Sequence, residues 1–440
     1  MVMSRCLKKY FIISLIIIWY VFPLSAGDWQ LQMTGQISFH ANWTALFINS
    51  RNQLRIVIST PLAIHCLNVQ GDTLWSQPAV GISSHSVGEI KSDYLLAYQH
   101  RIKQDSVENF VLLNVNTGAI LDQIRVPLAK NEHHTEILRK DEYYFIHFQK
   151  ISNSILKKRF LILSVKNGGI RNLGEFPTCL WPAYPYVDRE NHLLLFSNTS
   201  TCNTAYPIQG EFDCTGGIYL VSMDSWKILN RYLPLYHGYM SGKFVVNKNR
   251  LYLAFYSNIY NDIHYSELAV LEYPSFRIVR RKIFYNRLID EQELWVKDDS
   301  VLFVSLVRKD GTIYLTDTHF RTVKTIPLPP VKLLKPAQHK RFELAASYRM
   351  KVGDFWGDPE PELLVSINIW KKPDDPRGFI RDRYGYRSSY FRFYLFNSNF
   401  RLIGQHDEKK IGRGFGILYI PELNKFVFLT TNGIRFYQLQ

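Results

Sequence analysis

Residues 110–127 read FVLLNVNTGAILDQIRVP, and residues 64–76 read IHCLNVQGDTLWS. In each, an apolar run rich in β-branched residues enters a polar, Gly-containing turn and emerges as a second run, the signature of two antiparallel strands. The same phrase returns as FLILSVKNGGIRNLGEFP from Phe160, GIYLVSMDSWKILNRYLPL from Gly217, LAVLEYPSFRIVRRKIF from Leu268, TIYLTDTHFRTVKTIPLP from Thr312 and FYLFNSNFRLIGQHD from Phe393. A terminal fragment, GIRFYQLQ, begins at Gly433.

With Leu67, Leu113, Leu163, Leu220, Leu271, Leu315 and Leu395 as markers, the steps are 46, 50, 57, 51, 44 and 80 residues. Further strand-like runs lie between the copies, such as YLLAYQH from Tyr94, RLYLAFYS from Arg250 and SVLFVSLV from Ser300, and no long amphipathic helix interrupts them. About four short strands per repeat of 45 to 50 residues is the unit of a β-propeller blade, which buries its faces only against neighbouring blades. The sequence therefore predicts an all-β propeller of seven or eight blades, eight preferred. The last blade, within residues 414–440, supplies about three strands, and the segment from Trp29 to His40 is expected to donate the fourth, pairing the two ends of the chain and removing an open sheet edge.

The phrases LNVNTGAILDQI and LNVQGDTLWSQ resemble the repeat of quinoprotein-like (PQQ-type) propellers, in which Asp or Asn, then Thr-Gly, then an apolar strand ending in Trp recurs once per blade. Separately, VGDFWGDPEPELLVSI from Val352 resembles an FG-GAP (VCBS-type) repeat. That resemblance implies a calcium loop with Asp354, Asp358 and Glu362 at its first, fifth and ninth positions and the backbone carbonyl of Glu360 at its seventh. Trp356 at the third position and Pro359 depart from the family pattern, so a degenerate structural turn is the competing reading. The quinoprotein resemblance concerns the structural repeat, without the cofactor constellation of the dehydrogenases.

The chain has 440 residues, 46% hydrophobic and 15% aromatic, with a formal charge of +15, which excludes disorder as its main state. Arg5, Lys8 and Lys9 precede the apolar run 11–22 and then Pro-Leu-Ser-Ala-Gly, the pattern of a secretory signal segment spanning residues 1–27, so residues 28–440 are read as one exported propeller domain, secreted or periplasmic. No transmembrane domain is expected in the mature chain; retention by an uncleaved N-terminus is the alternative. Four cysteines then remain, and Cys202 and Cys214 flank a turn-forming stretch where a local disulfide is plausible in an oxidising compartment, although Cys66, Cys179, Cys202 and Cys214 allow three pairings. Cys66, in an apolar run, reads as a buried thiol.

The 80-residue step marks an insertion at about 371–392, KKPDDPRGFIRDRYGYRSSYFR. Arg377, Arg381, Arg383, Arg387 and Arg392 alternate there with Phe379, Tyr384, Tyr386, Tyr390 and Phe391, a composition suited to gripping carboxylate, sulfate or phosphate groups while aromatic faces stack on sugars or bases. A long hairpin with solvated Arg and packed Tyr is the plainer reading. Export disfavours nucleic acid and favours an anionic glycan, a cell-envelope component or a protein. Residues 331–440 carry +8 of the net charge against +4 for residues 28–330. Trp181, Pro182, Tyr184, Pro185, Tyr186 and Tyr206 form a second aromatic group, either a binding platform or packing between blades.

No HExxH, GxSxG or GxxxxGK[ST] pattern occurs, and His133-His134 is the only adjacent histidine pair. The expectation is an exported binding or scaffolding propeller, more in keeping with a non-catalytic role; an extracellular enzyme acting on polysaccharide and a tethered sensory ectodomain are the alternatives. No cofactor is expected beyond the calcium that the FG-GAP resemblance implies.

Overall fold

The computed structural model describes residues 31–39, 43–78, 80–82, 89–99, 106–152, 155–177, 182–198, 217–235, 240–257, 265–285, 289–307, 311–329, 346–355, 360–371, 387–409, 414–430 and 433–439. These residues form eight antiparallel sheets in a ring, so the propeller has eight blades rather than seven. From first to last strand they are blade 1 (Trp43–Ile48 to Thr73–Pro78), blade 2 (Val80–Gly81 to Ile120–Pro127), blade 3 (Glu132–Lys140 to Gly169–Pro177) and blade 4 (Pro182–Asp188 to Ile228–Tyr232). Blade 5 (Met240–Asn247 to Ile278–Tyr285), blade 6 (Ile289–Lys297 to Thr322–Pro327) and blade 7 (Ala346–Gly353 to Leu402–Lys409) follow. Within each blade the strands are lettered a to d in chain order, a nearest the axis.

Blade 8 consists of Gly414–Ile420, Lys425–Thr430 and Gly433–Leu439, and its outer strand is Leu31–Ser38. The register runs from Leu31 opposite Leu439 to Ser38 opposite Gly433, the closure anticipated from the sequence. Each seam then holds its own apolar layer: Ile37 and Ile434 meet Leu46 and Ile56 between blades 8 and 1, and Phe355 and Phe393 meet Phe426 and Phe428 between blades 7 and 8. The seven marker leucines all lie on c strands and are all buried. Leu67, Leu113, Leu163 and Leu271 face the preceding blade and Leu220, Leu315 and Leu395, one position earlier, face the following one, so their spacing recorded the ring because c strands are covered on both faces.

The turns from c to d of blades 1, 2, 6 and 7 share one local mechanism. Asn68, Asn114, Asp317 and Asn397 each accept two backbone N–H groups of their own turn through the side-chain oxygen, as Asn397 does from Asn399 at 3.1 Å and Arg401 at 3.0 Å. The turn then closes on a residue with positive φ, after which the register slips by one, the geometry of a hairpin with a bulge. Blade 2 departs from the pattern. Its a strand is only Val80–Gly81, while Glu89–Lys91 pairs in parallel with Trp43–Ile48 and makes blade 1 five-stranded.

Candidate functional site

Antiparallel order gives the ring two unlike faces. Connections from a to b and from c to d leave one face, here the turn face; connections from b to c and from one blade to the next leave the other, the loop face. The turn-face connections are short, as at 141–142, 167–168, 248–249 and 298–299, whereas the loop face receives 199–216, 328–345 and 372–386. Binding residues are commonly carried by long loops on a rigid scaffold.

The sequence-predicted residues divide between these faces. Lys371 pairs with Arg387, so the insertion is the b-to-c connection of blade 7 and opens on the loop face. Arg377, Arg381, Arg383, Tyr384 and Tyr386 lie outside the described residues. Arg387, Tyr390 and Arg392 belong to the strand Arg387–Phe396 itself. Arg392 Nε and Nη2 donate to the two Asp407 oxygens at 2.6 and 2.7 Å, and this carboxylate raises the guanidinium pKa further, so an anionic ligand at Arg392 would compete with Asp407. Asn198 pairs with Gly217, so the stretch holding Cys202 and Cys214 also opens on the loop face, with both cysteines outside the described residues. Of the second aromatic group, Trp181 and Tyr206 are likewise outside them, and Tyr186 is exposed on the inner strand of blade 4.

The FG-GAP-like loop joins strands a and b of blade 7 and therefore sits on the opposite, turn face. Glu362 is buried, and its Oε2 accepts the Phe355 N–H at 2.6 Å, fixing the turn that inserts Phe355 between blades 7 and 8. The Glu360 carboxylate pairs with Lys297 of blade 6, which lowers its pKa. Asp354 is exposed, and Asp358 lies outside the described residues. The Glu362 carboxylate thus already has a protein partner, and among the described residues no group of three or more His, Cys, Asp or Glu converges on a metal position. Cys66 is fully buried with its pKa pushed up to about 12 by desolvation, against a smaller lowering by Arg55.

Sequence reasoning passed over the inner strand of blade 3, where Glu132, His133, His134, Thr135 and Glu136 are consecutive. Strict alternation would place His134 and Glu136 on one face. A bulge at Thr135 separates them instead. His134 turns to blade 2: its Nδ1 bonds Glu108, and its ring lies 4.4 Å from Tyr98 and 5.7 Å from Phe110. Glu136 turns the other way, opposite His147, whose Nδ1 meets Thr135 Oγ1 at 2.7 Å. Glu132 is held by Arg159, which also donates to the Pro127 carbonyl. The adjacent histidine pair was the available signal; the bulge that gives it meaning has no residue signature.

No family model matches the chain, and no curated protein matches it. Among solved structures it is similar to the propeller of Dos1, with a TM-score of 0.50 at 8% identity over 93% of this chain and 95% of that one. It is also similar to BamB from Moraxella catarrhalis, at 0.49 and 12% over 93% and 98%, and to the WD40 domain of SCAP from fission yeast, at 0.46 and 10% over 93% and 98%. The likeness to the Dos1 propeller is one of fold.

Proposed function

We propose that the chain is an exported, non-catalytic propeller whose loop face binds an anionic partner, an acidic glycan of the cell envelope or surroundings in the first instance and an acidic protein surface in the second. The observation that carries this reading is the asymmetry of the ring. The connections 328–345 and 372–386 both leave the loop face beside blades 6 and 7, within the part of the chain that holds the larger basic surplus. A cationic sector on one face of a closed ring attracts polyanions through a field that salt screens. The apolar segment at residues 11–22, with its basic lead, supports delivery to the compartment where such partners occur.

The test is retention of the mature protein on an immobilised sulfated or uronate polysaccharide under a salt gradient. Replacing Arg381, Arg383 and Arg387 together by Ala is expected to lower the eluting salt concentration while leaving the folded ring intact by circular dichroism. Identical elution of variant and parent removes the anionic-partner reading. N-terminal sequencing of exported material, expected to begin at Gly27 or Asp28, tests delivery; an intact Met1 on membrane-bound protein would instead support the tethered alternative.

A further inference from the structure

The seam between blades 3 and 4 contains a buried acid for which the described residues supply no counter-charge. Glu136 is 5% exposed, and among the described residues its Oε2 has no hydrogen-bond partner. The bulge at Thr135 aims it into this seam, on the same side as Leu138 and Phe145, which pack against Phe196, Tyr219 and Val221 of blade 4. The groups that face it can be followed element by element among the described residues. The paired strand Tyr143–Ser152 presents His147, and the strand beyond it presents Phe160, whose ring centroid is 4.8 Å from that of His147. Blade 4 presents Val187 from its inner strand, Leu194 and Phe196 from the next, and Tyr219 from the third. His147 and Tyr219, with Tyr143 farther along the paired strand, are the titratable groups among these described residues, and none is a fixed positive charge.

An ionised carboxylate in such a wall loses its hydration without gaining a cation, so the neutral acid is the form compatible with a closed seam. Desolvation accordingly pushes the Glu136 pKa up to about 7. The seam also has slack. A cavity of about 20 Å³ lies within it, lined by Phe145, Phe160, Phe196, Val221 and Trp226 among others, large enough by volume for one water but apolar throughout.

We propose that Glu136 carries a proton while blades 3 and 4 are packed, and that its ionisation loosens this one seam, making it a pH-responsive joint in an otherwise closed ring. Loosening lets water reach the carboxylate and exposes part of the Phe145, Phe160 and Phe196 layer. The inner strands meeting at this seam begin on the loop face, so the joint acts on the scaffold of the face assigned to binding; the joint itself stands or falls independently of that assignment. The sign follows from linkage. A raised acid pKa in the folded state means stability is greatest at low pH, declines as pH rises above the ordinary glutamate value of 4.5, and has reached its lower plateau above about 7.

Hydrogen exchange read by mass spectrometry on the intact mature chain, corrected for intrinsic pH dependence, tests the joint. Exchange in Tyr143–Ser152 and Leu193–Asn198 is expected to rise about tenfold or more between pH 5 and pH 8, while Leu54–Ser59 and Lys425–Thr430 in the seam of blades 8 and 1 stay unchanged. Glu136→Gln, neutral at every pH, is expected to flatten the response. The same pH response in Glu136→Gln, or a flat one in the parent, overturns the proposal. Should that variant fold poorly, carboxyl-carbon NMR of the ¹³C-glutamate-labelled parent, with its signals assigned, decides instead: the Glu136 signal is expected to titrate near 7, and its titrating below 6 overturns the proposal.

Discussion

Trp75 lies across Gly118. The indole, on the outer strand of blade 1, donates to the Val115 carbonyl of blade 2 at 2.8 Å, and a Cβ on Gly118 would stand 2.7 Å from the ring. Gly118 is also the positive-φ residue of its turn, at +72°. In the turns of blades 4 to 7 the corresponding positive-φ residues are Trp226, Phe276, Phe320 and Phe400, and each packs back into the seam with the preceding blade. One gap between blades is filled in two ways, by a ring from the preceding outer strand over a glycine or by a ring from the turn itself. A left-handed aromatic residue is strained, and packing of the ring over-determines it.

Gly118→Ala is therefore expected to destabilise by about 1–3 kcal/mol, through both the clash and the backbone angle. Trp75→Ala should cost about 3–5 kcal/mol. If the two solutions are equivalent, Trp75→Ala with Gly118→Phe recovers part of that loss, since the ring then enters from the turn. Urea unfolding midpoints of the three variants decide this; a double variant less stable than Trp75→Ala would show that the two fillings are not interchangeable.

The seam of blades 4 and 5 is held by a buried charge with full satisfaction, the converse of Glu136. Glu267 is fully buried and accepts the Tyr232 hydroxyl, the Tyr265 hydroxyl at 2.8 Å, the Leu235 N–H at 3.0 Å and Arg281 through two nitrogens at 2.9 and 3.0 Å. Removing it orphans a guanidinium and two phenols at once. Glu267→Ala is expected to cost about 3–5 kcal/mol in urea unfolding, whereas Glu267→Gln, which keeps the shape and one acceptor oxygen, should cost less.

These seams explain what the sequence could and could not convey. Leu67, Leu113, Leu163, Leu220, Leu271, Leu315 and Leu395 recur because the end of every c strand is buried against one neighbouring blade or the other, so a ring of seven or eight blades and its closure were legible. The split inner strand of blade 2 and the bulge at Thr135 were not, because each is decided by pairing across the ring. The candidate site was legible only in part. Spacing showed an Arg/Tyr insertion and an acidic loop, but only the order of strands places them on opposite faces, and only packing assigns Arg392 to Asp407 and Glu362 to Phe355. Cys66 behaved as its apolar context predicts, a buried thiol.

Acid should act on the turns in the direction opposite to Glu136. Asp317 is drawn up by partial burial, but the Arg321 N–H and guanidinium and the His319 N–H outweigh this and hold its pKa below the ordinary value. A depressed acid contributes stability that is present above the unfolded pKa, 3.8 here, and lost as pH falls through the lower folded value. Asn occupies the equivalent position in blades 1, 2 and 7, so Asp317→Asn keeps both turn hydrogen bonds and loses only an exposed ion pair, at about 0–1 kcal/mol. Asp317→Ala loses the turn bonds too, at about 1–2 kcal/mol. Thermal midpoints between pH 2 and pH 5 should fall less steeply for Asp317→Asn than for the parent.

The two faces make the binding reading separable from net charge. Lys166 and Lys227 are exposed on c-to-d turns, the face away from the Arg/Tyr insertion. Lys166→Glu with Lys227→Glu lowers the formal charge by 4, more than the 3 removed by the Arg381, Arg383 and Arg387 substitutions. If polyanion retention followed overall charge, the turn-face variant would elute earlier than the arginine variant. If it depends on the loop face, the order reverses, because at about 0.15 M salt the screening length is about 8 Å and charges on the far side of the ring contribute little. The dependence of retention on salt should likewise stay close to the parent's in the turn-face variant and become shallower in the arginine variant, since fewer counterions are exchanged where fewer cations meet the polyanion. Elution in order of net charge alone would mean that no face is selected.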